Sequence, residues 1–233
     1  MSKNAPSPSA QEKWRESILA EVLAEAPFDG WTHSVLEKAA LTTGMSRADI
    51  DRGDLHLIFP KGISDVLTFW SQRCDEKMVA AFEAADPAPT RIRDKVTLLV
   101  RERLEAMIGE REAARRASAT LALPTHAGLG PKLTWATADA IWRALGDTSS
   151  DFNYYTKRAT LSAVYLSTLT CWFANEKGVD SAEPYAETWA FLDKRIDNVM
   201  QFEKVKADAK KCAPDHNGLL SALANLRYSG NRS

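Results

Sequence analysis

Apolar residues recur at helical spacing along most of this chain, in segments that end at proline or glycine. One such stripe consists of Ile92, Val96, Leu99, Val100, Leu104 and Met107. Residues three and four apart share one face of an α-helix, so the stripe predicts an amphipathic helix packed on a core. Alternating apolar and polar runs bounded by Asn-Gly or Asp-Gly turns, which indicate β-hairpins, are missing from the sequence. The sequence therefore predicts an all-α fold.

Proline, glycine and charge patterns divide the chain into five segments. They are a disordered start (1–10), an N-terminal helical unit (11–60), a main helical domain (61–206), a polar linker (207–217) and a terminal amphipathic helix (218–228). We expect the first helix to run from Glu12 to Ala26 and to end at Pro27. The last segment carries one apolar face, formed by Leu219, Leu220, Leu223 and Leu226. About three turns of helix are unstable alone in water, so this segment must dock on a membrane surface or on the protein itself.

Composition favours none of the common catalytic or metal-binding classes. The chain has 233 residues and a net charge of −1, which gives no indication of a nucleic-acid partner. Its three cysteines are widely spaced, which favours a reducing compartment over a disulfide framework. There is no HExxH, CxxC, GxGxxG or GxxxxGK[ST] motif, and the four histidines are scattered. We predict no catalytic residues and no metal site; an enzyme acting on a lipid is the weakest of the alternatives.

The N-terminal unit has the layout of a TetR-type helix-turn-helix without its charge. Two helices are followed by Thr43-Gly44-Met45-Ser46, a short helix, and Phe59-Pro60-Lys61-Gly62 leading into a long helix. Between Glu12 and His56, however, nine acidic side chains face five basic ones, a net charge of −4. Phosphate neutralisation supplies most DNA affinity, so this segment predicts the architecture without DNA binding. A TetR-type regulator with a hydrophobic inducer is the alternative function.

Longer motifs resemble a known family. They are Pro27-Phe-Asp-Gly-Trp-Thr32, Phe59-Pro-x-Gly62, Arg115-Arg116, Leu121-Ala-Leu-Pro124, Trp135 with Ala138-Asp-x-Ile-Trp142, Gly146-Asp-Thr-Ser-Ser-Asp-Phe-Asn-Tyr-Tyr-Thr-Lys-Arg158, and Thr188-Trp-Ala-Phe-Leu-Asp193. Together they resemble the Coq-nine family of lipid-binding accessory proteins in ubiquinone biosynthesis, which have a TetR-like fold. The resemblance runs from about residue 12 to 206.

The resemblance implies a homodimer that carries a lipid and works beside another protein. Its dimer seam would comprise the uncharged helix 159–175, which we expect to be buried on most sides, and the amphipathic helix 185–206. No cofactor is implied other than a bound isoprenoid, quinone intermediate or phospholipid. The expected pocket residues are Trp135, Trp142, Leu161, Tyr165, Trp172 and Trp189. The implied partners are a demethoxyubiquinone hydroxylase, or other ubiquinone-biosynthesis proteins, and a membrane surface. The implied location is a bacterial inner membrane, on its cytoplasmic side, or the mitochondrial matrix side for a processed eukaryotic form.

The resemblance also implies that the block DFNYYTKR makes the family's contact with its partner protein. By position this patch maps onto Asp151, Asn153, Tyr154, Tyr155, Lys157 and Arg158. Neighbouring residues of a helix point about 100° apart, so the two tyrosines cannot both face the core. An exposed tyrosine beside arginine is typical of an interface. The residues alone equally allow both rings to cover the end of the helix bundle.

Overall fold

The computed structural model describes residues 8–150, 152–175 and 185–212, which fold into helices joined by turns, without a β-strand among them. The helices are α1 (Pro8–Asp29), α2 (His33–Thr42), α3 (Arg47–Arg52), α4 (Asp54–Ile58), α5 (Ile63–Glu83), α6 (Ile92–Glu105), α7 (Arg111–Leu121), α8 (Leu129–Ala144), α9 (Phe152–Ala174) and α10 (Ala186–Cys212). Short 3₁₀ turns precede α7 and α8. The all-α prediction is confirmed. A TetR-like arrangement of these helices stays a prediction.

Local signals define several of the helix ends. The Thr32 hydroxyl accepts a hydrogen bond from the Val35 amide at 3.2 Å and so caps α2. Ser46 and Asp49 form a capping box at the start of α3. Gly53 then adopts the left-handed region, with φ of 93°, and separates α3 from α4. The sequence predicted one short helix between Ser46 and Phe59, which the structure divides into α3 and α4.

The predicted limits of two helices are wrong. Helix α1 begins at Pro8 and continues through Pro27 to Asp29. Proline lacks an amide hydrogen, which suits the first position of a helix, and at Pro27 the loss of one bond is confined to the last turn. Helix α10 continues to Cys212 instead of ending at Lys206, because no proline or glycine interrupts it before Pro214. The predicted terminal helix 218–228 lies outside the described residues.

The described residues up to Leu192 form one compact unit. In it α1 packs on α2 and α7, α5 packs on α6 and α8, and α8 packs on α9. The indole Nε1 of Trp31, just before α2, donates to the Ala113 carbonyl of α7 at 2.9 Å. The helices of the predicted 11–60 unit thus contact the main domain directly.

The remainder of α10, from Asp193 to Cys212, belongs to a second unit. Within it Ile196 is buried, whereas Met200, Phe202 and Val205 are exposed. None of the helices in the described parts of the chain is both long enough and apolar enough to cross a membrane.

Candidate functional site: an apolar cavity beside an aromatic surface

A cavity of about 480 Å³ lies among α5, α6, α7, α8 and α9. Its lining is mostly apolar and includes Leu67 and Trp70 from α5, Leu133 and Trp135 from α8, and Leu166, Leu169 and Phe173 from α9. Pockets of roughly 300–1,000 Å³ with apolar walls are typical of small-molecule sites. The cavity therefore has the size and the lining of a ligand site.

Small side chains on α7 leave this space open. Ala114, Ala117 and Ser118 line the cavity on one side, where a larger apolar residue would fill it. Ala114 and Ala117 are buried, and both lie on the same face of α7. The stripe of small residues thus creates room that neighbouring leucine and tryptophan side chains border.

A buried ion pair forms the polar end of the cavity. Arg103 of α6 is only 3% exposed, and its Nε donates to Asp75 Oδ1 of α5 at 2.6 Å. The Thr137 hydroxyl donates to the same oxygen at 2.9 Å, and Arg103 Nη2 donates to the Ser71 hydroxyl at 3.2 Å. Burial raises the pKa of the Asp75 carboxyl above its ordinary value, an effect that Arg103 opposes. Arg103, Ser71, Thr137 and Tyr165 all line the cavity.

The conspicuous block at 151–158 begins α9 and ties it to the preceding helix and turn. Arg158 Nε donates to Asp139 Oδ1 of α8 at 2.6 Å, and its Nη1 contacts Asp147 Oδ2 of the turn at 3.2 Å. Lys157 Nζ donates to Asp147 Oδ1 at 2.7 Å. Hydrogen bonds from Lys157 and then Ser149 lower the pKa of Asp147 to about 2. This charge network (Asp139, Asp147, Lys157, Arg158) joins α8, the turn and α9.

The same block presents aromatic rings to solvent. Tyr155 is 60% exposed and Phe152 is also exposed, whereas Tyr154 is half-buried. The Trp135 ring centroid lies 6.3 Å from that of Tyr155 and 6.5 Å from that of Tyr154. Trp135 also lines the cavity, so this aromatic surface (Phe152, Tyr155) is connected to the cavity by one residue. As helix geometry predicts, one of the two neighbouring tyrosines is exposed.

Comparison with known proteins finds similarity to the COQ9 family. The COQ9 family model matches residues 127–203, which include α8, α9 and the start of α10. The chain is also 27% identical over 228 residues to a human protein named ubiquinone biosynthesis protein COQ9, mitochondrial. That alignment covers 93% of this chain and 68% of the human protein. The chain resembles the COQ9 family.

Other COQ9 proteins match over similar lengths. The Bos taurus protein of the same name is 28% identical over 227 residues, covering 93% of this chain and 68% of its own. The Drosophila melanogaster protein is 28% identical over 193 residues, covering 81% of this chain and 56% of its own. The COQ9 model match contains the charge network, the aromatic surface and the α8 and α9 walls of the cavity.

Two of the six predicted pocket residues, Trp135 and Tyr165, line the cavity. The other four, Trp142, Leu161, Trp172 and Trp189, do not belong to the lining found among the described residues. On α9 the lining residues are Ala159, Ser162, Tyr165, Leu166, Leu169 and Phe173. Leu161 and Trp172 are buried on the adjacent face, because each residue turns the helix by about 100°.

The two remaining tryptophans pack elsewhere. Trp142 lies under Lys157, whose Nζ is 5.2 Å from the ring centroid. Trp189 packs against Tyr185 and Arg101. Both rings therefore contribute to packing outside the cavity.

Sequence reasoning missed several residues that shape the cavity. They are Ser71, Arg103 and the small residues of α7. A signal for Arg103 was present, because helical spacing places it on the apolar face of α6 beside Leu99 and Val100. A charge is unexpected on such a face unless it has a buried partner. The small residues of α7 gave no comparable signal, since alanine suits any helix position.

The predicted partner patch is only partly at the surface. Asn153 and Tyr155 are exposed, and Asp151 lies outside the described residues. Arg158 is not at this surface, because its side chain is only 2% exposed and pairs with Asp139 and Asp147, so its contact with a partner stays a prediction. Its guanidinium links α8, the turn and α9 within the chain. Lys157 is half-buried and shares Asp147 with it.

The basic residues of α3 are already paired. Arg47 lies 3.0 Å from Glu37 and 3.4 Å from Asp51, and Arg52 contacts Asp49 and Asp54. A phosphate would have to displace these carboxylates, so the geometry weighs against DNA binding by this segment.

Proposed function

We propose that the protein is a lipid-binding accessory protein of ubiquinone biosynthesis. The cavity carries this proposal, because it is mostly apolar and two of its walls lie in the segment that matches the COQ9 family. The relatives are named for ubiquinone biosynthesis, whose intermediates combine a ring with a long isoprenoid chain. Each buried methylene contributes about 0.8 kcal/mol of transfer free energy, so part of such a chain would suffice to hold the ligand.

An accessory role fits the chemistry of the cavity better than a catalytic one. Asp75 is the buried carboxyl group beside the cavity, and Arg103 and Thr137 both donate hydrogen bonds to it. Asp75 itself does not line the cavity, whereas a general base must lie within hydrogen-bond reach of the proton that it accepts. The ion pair instead orients Arg103 at the cavity wall.

The aromatic surface is the proposed contact with a demethoxyubiquinone hydroxylase. Tyr155 and Phe152 are exposed large side chains, and buried aromatic anchors dominate many interfaces. Their connection to the cavity through Trp135 would place a partner close to the bound lipid. We further propose that a membrane-docked segment 218–228 supplies the lipid.

A homodimer is proposed through α9 and α10. Helix α9 buries one face within the chain. The sequence predicted a helix buried on most sides, so its other faces would need a second chain to cover them. Ala163 and Thr170 on its other side are exposed, and the helix carries no charge between residues 159 and 174. A second copy of the chain would cover this uncharged face at little desolvation cost.

Lipid extraction tests the carrier role. Mass spectrometry of organic extracts from the purified protein should detect an isoprenoid, a quinone intermediate or a phospholipid. Ala117→Leu, which fills the cavity, should reduce the lipid recovered per protein several-fold. Ala119→Leu on the exposed face of the same helix is the matched control. Equal lipid content in both variants would refute the cavity as the binding site.

Tyr155→Ala tests the partner surface. In cells that lack their own COQ9 relative, the wild-type protein should restore ubiquinone, and Tyr155→Ala should restore less while its lipid content is unchanged. Phe28→Ala removes another exposed aromatic ring, from α1, and serves as the control. Full restoration by Tyr155→Ala would exclude the aromatic surface as the essential contact.

A further inference from the structure

We propose that the polar end of the cavity binds a neutral hydrogen-bond-accepting oxygen, such as a ring carbonyl, of an otherwise apolar ligand. The inference rests on the proposed lipid-binding function and specifies the orientation of the bound ligand. The ring would lie at Arg103, and the chain would extend along the apolar walls. A phospholipid, in contrast, would place its charged phosphate outside and only acyl carbons inside.

An unused donor on Arg103 is the main observation. Nε and Nη2 are engaged by Asp75 and Ser71, respectively. Nη1 is buried and has no hydrogen-bond partner within the described part of the chain. A buried donor without an acceptor is costly, and natural proteins rarely leave one. Arg103 lines the cavity but Nη1 itself is covered, so a small shift of the guanidinium would let a ligand oxygen in the cavity satisfy this donor.

The charge balance selects a neutral acceptor. Asp75 compensates the guanidinium of Arg103 at 2.6 Å, so the pair carries no net charge. An anion at the same end would lie beside the Asp75 carboxylate without a second cation to offset it. A carbonyl or ether oxygen accepts the hydrogen bond and adds no charge.

The surroundings suit a ring. Tyr165 lines the cavity, and its ring centroid lies 5.8 Å from Arg103 Cζ. Trp70 lines the cavity from α5. Ser71 and Thr137 add hydroxyl groups at the same end, whereas the lining contributed by Leu133 and Leu169 is apolar. Ser118, Thr134 and Ser162 also line the cavity with hydroxyl groups, but Arg103 is the one charged residue in the described lining.

Paired ligands test the inference on delipidated protein. Titration calorimetry compares a decyl-substituted dimethoxy-benzoquinone with decylbenzene, which has the chain and a ring but no oxygen. The quantity measured is the ratio of the two affinities. We expect the double variant Arg103→Met/Asp75→Leu, which removes both charges together, to lower this ratio about tenfold, equivalent to about 1.4 kcal/mol. Decylbenzene affinity should change little.

Two further variants keep the test independent of folding defects. Arg103→Lys retains a charge beside Asp75 but loses the fork of donors, and it should also lower the ratio. Arg101→Lys, on the exposed side of the same helix, should leave it unchanged. The infrared carbonyl stretch of the quinone bound to the wild-type protein should lie at a lower frequency than that of the free quinone in an apolar solvent. This measurement requires no variant.

The outcomes separate the two proposals. If both ligands bind but the affinity ratio is the same in all variants, the head-group site is refuted and the lipid-binding function stands. Decyl phosphate tests the choice of a neutral acceptor. If it binds the wild-type protein more tightly than the quinone and loses this advantage in the double variant, the polar end binds an anion and the choice is refuted. If neither ligand binds the wild-type protein, both proposals fail.

Discussion

Replacing Arg158 with methionine should destabilise the protein far more than replacing another arginine that binds the same carboxylate. Arg158 and Arg143 both contact Asp139, at 2.6 and 2.7 Å. The first is 2% exposed and the second 75% exposed. Arg158 also contacts Asp147, which is almost fully buried.

The expected magnitudes follow from this difference in burial. Removing one partner of a buried ion pair costs about 3–5 kcal/mol, because the remaining charge stays buried without compensation. Arg143 and Lys157 would still neutralise part of the charge on Asp139 and Asp147, so we expect about 3 kcal/mol for Arg158→Met. Arg143→Met breaks an exposed pair and should cost at most about 1 kcal/mol.

Urea unfolding followed by circular dichroism at 222 nm measures both values. The free energy of unfolding comes from linear extrapolation, with the slope compared between variants. Arg158→Met/Asp139→Asn/Asp147→Asn should recover part of the loss, since it removes the uncompensated carboxylates. A loss below about 1 kcal/mol for Arg158→Met, or equal losses for the two arginine variants, would refute the structural role of Arg158.

Three further predictions concern pH, DNA and the membrane. Because the pKa of Asp147 is lowered to about 2, it contributes stability that is present above its unfolded pKa of about 3.9 and is lost as pH falls towards 2; urea midpoints from pH 5 to pH 2 should fall less steeply for Lys157→Met than for wild type. Gel shifts with genomic DNA at low salt should show no specific binding, because Arg47 and Arg52 are already paired; salt-sensitive specific complexes would contradict this. Deleting residues 214–233 should abolish sedimentation with liposomes while leaving most helicity intact, and unchanged sedimentation would exclude a membrane role for that segment.

The helices were predictable because their signals are local. Thr32 and Ser46 cap helices within three residues of their own positions, and Gly53 breaks a helix through its own backbone. The angle between neighbouring helical residues also predicted that Tyr154 and Tyr155 do not both face the core, but it did not predict that Tyr155 is the exposed one. Pro27 was misjudged because a proline near the end of a helix removes only one hydrogen bond.

The sequence by itself determined the all-α class, the acidic character of the first three helices and the resemblance to the COQ9 family. Only the tertiary structure decided that Arg158 is buried, because its partners Asp139 and Asp147 come from the preceding helix and turn. The cavity likewise depends on tertiary packing, since it is the space that five helices leave where α7 contributes alanine and serine. Periodicity identifies the buried face of each helix, but whether that face meets another side chain or an open cavity depends on the helices packed against it.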